Sequence, residues 1–313
     1  MSQVICVVGP TACGKTKMGV ALARRFSGEV VSVDSMQIYR GMPIGTAAPT
    51  PEEMEGIPHH MLAVAEPAES WSAARYASRA DACVRAILAR GKTPVLVGGT
   101  GLWLDTLVRG RDYAPGAQGE ETRLALQERL TREGAAVLLE ELRRIDPPAA
   151  ARLHLRDEKR ILRALEVYYE TGETFTARNE KERALPPRYD ARYIGLWYSD
   201  RAALCRRIDQ RVDLMVEQGL LQEVKALLQS DIPRDATALQ AIGYKQFLAV
   251  AEGRATVEEA IAEVKLRSRQ YAKRQMTWLR RNPDIHWIDR SKEPDFSLAL
   301  QNATEYLTAC GLG

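Results

Sequence analysis

The chain has 313 residues, of which 45% are hydrophobic and 27% charged, with a formal net charge of +3. This composition is typical of a globular protein with a substantial core, and the length suits one large domain or two smaller ones. The charge alone does not indicate a nucleic-acid partner. The five scattered cysteines form no C-x-x-C pair, no signal sequence opens the chain, and no apolar run approaches the roughly 20 residues of a membrane span. We therefore expect a cytoplasmic monomer with free thiols, no metal-ligand cluster and no membrane partner.

The first element is a strand, a glycine-rich loop and a helix. An apolar run at residues 4–8 predicts the strand, and a helical pattern extends to about Phe26. The loop glycines permit a backbone that turns N–H groups towards an anion, and the following helix adds its positive N-terminal end. Lys15 supplies a cation, and the Thr16 hydroxyl can hold magnesium. A chance glycine-rich turn would not require the strand and helix beside it. The pattern predicts a phosphate or pyrophosphate site, a P-loop, made of Gly9, Pro10, Thr11, Ala12, Cys13, Gly14, Lys15 and Thr16.

Two further strands end in polar loops. Residues 30–33 precede Asp34, and residues 93–97 precede a glycine pair and Thr100. Short β-branched runs that alternate with helices predict a P-loop NTPase-like α/β fold, with a parallel sheet flanked by helices. Ligands of such sheets bind beyond the carboxyl ends of the strands. Asp34 is therefore a candidate general base or magnesium ligand, with a turn or helix-capping aspartate as the alternative. Thr100 is expected to present its hydroxyl to the same crevice.

Between these loops, residues 41–60 are rich in glycine and proline and predict an irregular region. The paired His59 and His60 within it are expected to be structural or surface residues. A helix is predicted over residues 71–90, with Ser70 as its N-cap.

The pattern changes at about residue 113. A charged helical stretch covers residues 120–144, and prolines then break it before a second helix at residues 158–171. Charged helix faces are usually only solvated, but cations such as Lys159 and Arg163 at a helix start favour an external anion. We predict an all-helical insertion at residues 114–192 within an α/β core formed by 1–113 and 193–313. A lid over a nucleotide site is the alternative.

After a returning strand at residues 193–198, a long helical pattern covers residues 200–228. Arg207 and Arg211 are one helical turn apart on it, so they share a face and suit a pyrophosphate. A surface pair bonded to Asp209 or Glu217 explains the same spacing equally well.

The helix predicted at residues 256–281 carries seven lysines and arginines interleaved with Tyr271 and Trp278. Basic residues with aromatics fit a nucleic-acid backbone. Residues 285–288 alternate and predict a last strand, and the tail after Asp289 shows no pattern.

Taken together, these segments resemble the tRNA dimethylallyltransferases, also called tRNA isopentenyltransferases. The resemblance extends from Gly9 to about Asp289, with Cys13 where the family usually has serine. The matching segments are residues 9–16, 34–40, 41–47, 98–103, 160–167, Arg207 with Arg211, 241–245 and 272–278.

The resemblance implies transfer of a dimethylallyl group from dimethylallyl pyrophosphate to the exocyclic amine of the tRNA adenine just 3′ of the anticodon. Lys15, Thr16, magnesium, Arg207 and Arg211 would hold the leaving pyrophosphate, Asp34 would be the base, and Thr100 would belong to the catalytic set. The insertion would grip the anticodon stem-loop. Residues implied to contact tRNA are Asp34, Ser35, Met36, Gln37, Thr100, Arg123, Lys159, Arg160, Ile161, Leu162, Arg163, Gln240, Ala241, Ile242, Gly243, Tyr244 and Lys245.

Two other functions are compatible with a phosphate loop. A small-molecule or nucleotide kinase would use Asp34 to activate an acceptor hydroxyl, but the size of the insertion and the basic C-terminal helix oppose it. An RNA-binding NTPase switch would need Asp-x-x-Gly and Asn-Lys-x-Asp motifs, which the sequence lacks.

Overall fold

The computed structural model of the chain describes residues 2–110, 120–292 and 294–312. Its contacts divide the chain into two compact units, Met1–Gly110 with Arg188–Gly313, and Arg111–Pro187. The boundary expected near residue 113 lies outside the described residues.

The larger unit is built on a six-stranded sheet within the described residues, in the order β3-β2-β4-β1-β5-β6 with every pairing parallel. The strands are β1 Gln3–Val8, β2 Gly28–Val33, β3 His59–His60, β4 Thr93–Gly98, β5 Asp190–Trp197 and β6 Ile285–Asp289. The α/β fold class is therefore confirmed. Because all strands are parallel, the loops after β1, β2 and β4 lie at one edge of the sheet.

The helices follow in chain order. Those before the smaller unit are α1 Lys15–Arg25, α2 Pro43–Thr46, α3 Pro51–Met54, α4 Ala73–Ala89 and α5 Gly101–Arg109. The smaller unit contains α6 Glu120–Glu133, α7 Ala135–Ile145, α8 Pro147–Ala150, α9 Glu158–Thr171 and α10 Phe175–Ala184. The larger unit resumes with α11 Arg201–Glu217, α12 Leu220–Leu228, α13 Tyr244–Ala251, α14 Val257–Leu279 and α15 Phe296–Ala309.

Two long predicted helices are each divided by a glycine. The helix expected at 120–144 ends before Gly134, whose φ is 83°, and the one expected at 200–228 ends before Gly219, whose φ is 101°. Glycine adopts this left-handed backbone without a steric cost, so each divides one helical pattern into two helices.

Other expectations also differ in detail, and residues 41–60, expected to be irregular, contain α2, α3 and β3. Helix α4 begins at Ala73 with Ser72, not Ser70, as its N-cap, because the Ser72 side chain accepts a hydrogen bond from Arg75 N. Strand β5 begins at Asp190, three residues before the expected start. Helix α15 was not predicted, and it packs its buried Ala299, Ala303 and Leu307 on the core.

A buried charge cluster stabilises the edge of the sheet opposite the P-loop. Glu29, at the start of β2, is only 3% exposed. Its carboxylate accepts hydrogen bonds from Arg90 Nη2 at 2.7 Å and from Lys92 Nζ at 3.1 Å, and it lies 2.7 Å from His60 Nε2. Burial alone would raise the pKa of Glu29, but these three partners outweigh it and lower the pKa to about 2. His60 therefore has a structural role.

The smaller unit has its own hydrophobic core, formed by α6, α7 and α9. Leu138, Leu142, Ile161 and Leu165 are fully buried in it. The Asp146 carboxylate, between α7 and α8, accepts hydrogen bonds from Ala149 N, Thr176 N and Thr176 Oγ1. All described secondary structure of this unit is helical.

Candidate active site

A cavity of about 710 Å³ lies at the carboxyl edge of the sheet, within the larger unit. The P-loop, the loop after β2, the end of β4, and helices α2, α11 and α14 form its walls. The lining residues include Thr11, Ala12, Gly14, Lys15, Thr16, Asp34, Gln37, Ile44, Ala47, Val97, Arg207, Arg211, Leu214, Met215, Tyr271 and Gln275.

The P-loop backbone is shaped by close packing. Gly9 has a φ of 154°, and a Cβ there would lie 2.3 Å from Leu196 O, so no side chain fits. The Cys13 side chain is only 1% exposed and belongs to the hydrophobic core. Gly9, Pro10 and Cys13 are not among the lining residues, so they shape the loop while its other members line the cavity. The serine-to-cysteine departure thus falls on a side chain turned away from the ligand space.

Lys15 and Arg211 are cations in a poorly solvated place. Burial lowers the pKa of the Lys15 ammonium, and the nearby Arg211 charge lowers it further, while Cys13 and Asp34 act in the opposite direction. Burial likewise lowers the pKa of Arg211, with Asp34 opposing it. An arginine stays protonated even so, and a bound anion would relieve the cost of burying both charges.

Within the described residues, Lys15, Arg207 and Arg211 donate hydrogen bonds to neutral oxygens. Lys15 Nζ donates to Pro10 O at 2.7 Å, and Arg207 Nε donates to Ala12 O at 2.9 Å. Arg211 donates to Thr11 Oγ1 at 3.2 Å and to Ala47 O at 3.4 Å.

The expected alternative for the arginine pair is wrong. Asp209 pairs with Arg269 at 2.6 Å, and within the described residues neither Arg207 nor Arg211 forms an ion pair with Asp209 or Glu217. Both arginines line the cavity beside the P-loop.

Asp34 forms the turn that was expected as the alternative, and it also lies where a catalytic carboxylate is expected. Its Oδ1 accepts hydrogen bonds from Met36 N at 2.9 Å and Gln37 N at 3.4 Å, which is an aspartate turn. The same carboxylate lines the cavity. No described residue donates a hydrogen bond to its Oδ2, so that atom can accept a proton from a ligand.

Thr100 is not among the lining residues, and its catalytic role stays a prediction. Its Oγ1 accepts a hydrogen bond from Ser35 N at 3.3 Å. Thr100 therefore ties the loop after β4 to the loop that carries Asp34.

Several residues implied to contact tRNA are core residues. Tyr244 is fully buried and donates its hydroxyl hydrogen to Glu223, and Ala241 is 7% exposed. A Cβ on Gly45 would lie 2.4 Å from the Tyr244 ring, so the tyrosine supports the loop around α2. Ile161 is fully buried in the smaller unit. The side chains of Ile161, Ala241 and Tyr244 cannot meet tRNA in this arrangement.

The polar members of the same segments are accessible. Gln240 and Lys245 are exposed in the larger unit, and Ile242 and Leu162 are partly buried. In the smaller unit Arg123, Lys159 and Arg160 are exposed, and Arg160 pairs with Asp157 at 3.1 Å. Arg163 is partly buried and pairs with Glu166 at 2.8 Å. These side chains remain predicted tRNA contacts.

Two residues of the site were given no role by sequence reasoning. Glu223 accepts hydrogen bonds from Ile44 N and Gly45 N, both at 2.9 Å, and so holds the start of α2 against α12. Gln275 lines the cavity and bonds the P-loop and the loop after β4. Glu223 shows no local pattern, because a single glutamate on a helix is usually a solvated residue. Gln275 lies in the 272–278 segment of the family resemblance, which by itself assigns it no role.

The donor set of the cavity fits a magnesium ion bound with substrate. Within the described residues no group of three His, Cys, Asp or Glu side chains could hold a metal. Thr16 lines the cavity and offers a hydroxyl oxygen as a ligand for Mg²⁺, to be completed by phosphate oxygens and water. Among the described helices, none is both long and apolar enough to cross a membrane.

Comparisons with known proteins agree on one family. The model of the family described as IPP transferase matches residues 37–282. A tRNA dimethylallyltransferase of Geobacillus thermodenitrificans is 41% identical over 307 residues, covering 97% of this chain and 96% of the relative. One from Carboxydothermus hydrogenoformans is 43% identical over 291 residues, covering 93% of each.

Solved structures give the same result. The tRNA isopentenylpyrophosphate transferase of Bacillus halodurans matches with a TM-score of 0.75 and 40% identity, over 99% of this chain and 96% of that one. A eukaryotic dimethylallyltransferase acting on tRNA matches with a TM-score of 0.83 and 32% identity, over 98% of this chain and 78% of that one.

Proposed function

The chain belongs to the IPP transferase family, its activity is dimethylallyl transfer to a tRNA adenine, and we propose that the cavity beside the P-loop is its active site. One observation carries this assignment: three cations whose partners among the described residues are neutral oxygens face the same cavity as the Asp34 carboxylate. The cations suit a leaving pyrophosphate, and the carboxylate suits an acceptor amine.

On the donor side, the P-loop would cradle the pyrophosphate of dimethylallyl pyrophosphate. Lys15, Arg207 and Arg211 would exchange neutral oxygens for phosphate oxygens, giving stronger, charge-assisted hydrogen bonds. The Thr16 hydroxyl would hold magnesium, which supplies further neutralisation of the leaving group when bound. The apolar side chains of Leu214 and Met215, which line the cavity on the Arg211 helix, would contact the dimethylallyl group.

On the acceptor side, the target would be the adenine just 3′ of the anticodon. The exocyclic amine attacks C1 of the dimethylallyl group, the bond from C1 to the pyrophosphate oxygen breaks, and Asp34 Oδ2 takes the proton from the amine nitrogen. An adenine amine is a poor nucleophile, so orientation and a base both contribute. The base must leave the anticodon-loop stack to reach the cavity.

The smaller unit would bind the anticodon stem-loop through its exposed cations. Arg123, Lys159 and Arg160 offer charge to phosphates without a hydrophobic surface. Arg163 would also bind a phosphate, in place of its ion pair with Glu166.

The direct test is incubation with dimethylallyl pyrophosphate, Mg²⁺ and unmodified tRNA, followed by nucleoside mass spectrometry. A dimethylallylated adenosine at the position 3′ of the anticodon is expected, and none should form with Lys15→Ala. A parallel incubation with radiolabelled ATP and nucleoside or nucleotide acceptors tests the kinase alternative. Phosphoryl transfer without prenyl transfer would overturn the proposal.

A further inference from the structure

Gln275 is one of few buried polar residues in the described part of the chain, at 6% exposure, and it stands on α14 within the cavity wall. We propose that Gln275 is a positioning residue for the transfer reaction, holding the loop that binds the leaving pyrophosphate at a fixed distance from the loop that carries the base. This inference rests on the proposed function of the cavity.

Both ends of the Gln275 amide are bonded to main-chain groups of different loops. Its Oε1 accepts a hydrogen bond from Thr11 N at 2.9 Å, and its Nε2 donates one to Gly99 O at 3.1 Å. Thr11 lies in the P-loop after β1, and Gly99 lies in the loop after β4. The side chain therefore bridges the carboxyl ends of two neighbouring strands from outside the sheet.

Further hydrogen bonds connect Gly99 to Asp34, the proposed general base. Gly99 is followed by Thr100, whose Oγ1 accepts from Ser35 N at 3.3 Å, and Ser35 follows Asp34. A displaced Gly99 would thus shift the support of the Asp34 turn. The fit at Gly99 is close, because a Cβ there would lie 2.1 Å from Gln275 Nε2.

Helix α14 has a second anchor at this loop, independent of Gln275. Trp278, one turn further on, donates from Nε1 to Asp105 at 3.2 Å and covers Gly101, where a Cβ would lie 2.0 Å from its ring. Loss of the Gln275 bridge therefore leaves the helix attached to α5. The change should affect the alignment of the loops more than the fold.

An amide or a protonated carboxylic acid of this length supplies one acceptor and one donor at this place. A glutamate carboxylate could still accept from Thr11 N, but it would face Gly99 O with no hydrogen to donate, and it would place a negative charge beside the pyrophosphate site. Protonation of that carboxyl would restore the donor. Burial and a neighbouring pyrophosphate would raise its pKa, whereas the Lys15 and Arg211 cations, which line the same cavity, would lower it.

The test compares Gln275→Met and Gln275→Glu with Gln270→Glu, a control that makes the same charge change at an exposed position of α14. Initial rates with Mg²⁺, dimethylallyl pyrophosphate and unmodified tRNA give kcat and both KM values, and thermal unfolding reports the fold. Gln275→Met is expected to lower kcat about 10- to 100-fold with both KM values within about threefold, since misalignment acts mainly on the reacting geometry.

The pH profile gives a readout that a merely structural role would not move. The ratio of Gln275→Glu activity to wild-type activity should rise at least about fivefold from pH 8 to pH 6, as the new carboxyl becomes protonated. The ratio for Gln270→Glu should stay constant. If Gln275→Met does not fold, this ratio decides the question.

The inference is overturned by a wild-type kcat in Gln275→Met, or by a pH-independent activity ratio in Gln275→Glu. A wild-type chain that transfers no prenyl group would instead refute the proposed function.

Discussion

Replacing Asp34 by asparagine separates its two roles. The amide side chain of Asp34→Asn keeps an Oδ1 that can accept from Met36 N and Gln37 N, the bonds found at 2.9 and 3.4 Å, so the turn should persist. The amide nitrogen that replaces Oδ2 cannot take a proton from the adenine amine. A positioned general base contributes about 10²- to 10⁴-fold in rate, equivalent to roughly 3–5 kcal/mol, and we expect the transfer step to slow by that factor.

The assay is single-turnover transfer with enzyme in excess over tRNA, alongside equilibrium tRNA binding at fixed salt. Binding should stay within about threefold of wild type, because a lost carboxylate removes no cation from the phosphate contacts. Asp34→Ala should be slower still, since it also removes the turn bonds. The matched control is Asp213→Asn, which changes an aspartate of α11 that pairs with Lys265 of α14. A single-turnover rate near wild type in Asp34→Asn would refute the base assignment, and a loss confined to tRNA affinity would reassign Asp34 to binding.

Three further predictions concern other charges. Arg211→Ala should lower kcat at saturating donor about 10²- to 10³-fold, with Arg206→Ala on the same helix near wild type; an effect limited to tRNA affinity would contradict a role at the pyrophosphate. Lys159→Ala combined with Arg163→Ala should reduce the slope of log affinity against log salt for tRNA by about 1–2, and an unchanged slope would exclude phosphate contacts there. The Glu29 pKa is lowered to about 2, so its stabilisation is present above the unfolded-state pKa and is lost as the pH falls through 2. Glu29→Gln should therefore lower the unfolding free energy by about 1–2 kcal/mol at pH 6. The effect is modest because Arg90 and Lys92 are half-exposed to solvent. Urea titrations should show that the loss diminishes from pH 5 to pH 2. A pH-independent cost would show that packing, not charge, is responsible.

The parts of the site that are contiguous in sequence could be predicted, because their chemistry is local. The P-loop requires only a strand, a glycine-rich turn and a helix in succession, and Asp34 follows a strand directly. The spacing of Arg207 and Arg211 placed both on one face. The sequence left open whether that face binds a ligand or pairs with Asp209 or Glu217. In the structure Asp209 pairs with Arg269 instead.

The remaining parts depend on distant contacts. Gln275 bonds Thr11 and Gly99, which are 264 and 176 positions away in the chain. Helix α15 buries mainly small side chains, which give a weak helical pattern, and it was missed. Tyr244 and Ile161 lie in segments shared with the family, yet their burial follows from packing that no motif encodes.

The partners of the cations explain why this site suits a leaving group better than a resting anion. Outside the cavity, α14 cations on the α11 side have carboxylate partners: Lys265 pairs with Asp213 and Arg269 with Asp209. In the described part of the chain Lys15, Arg207 and Arg211 donate hydrogen bonds to neutral oxygens, so a pyrophosphate that binds there displaces no carboxylate from them. In the proposed reaction the pyrophosphate would gain charge as the bond from carbon to oxygen breaks, and these hydrogen bonds would strengthen, which would stabilise the transition state specifically. Asp34 opposes the lowering of the Lys15 and Arg211 pKa values by burial, and so favours their charged forms before the donor binds.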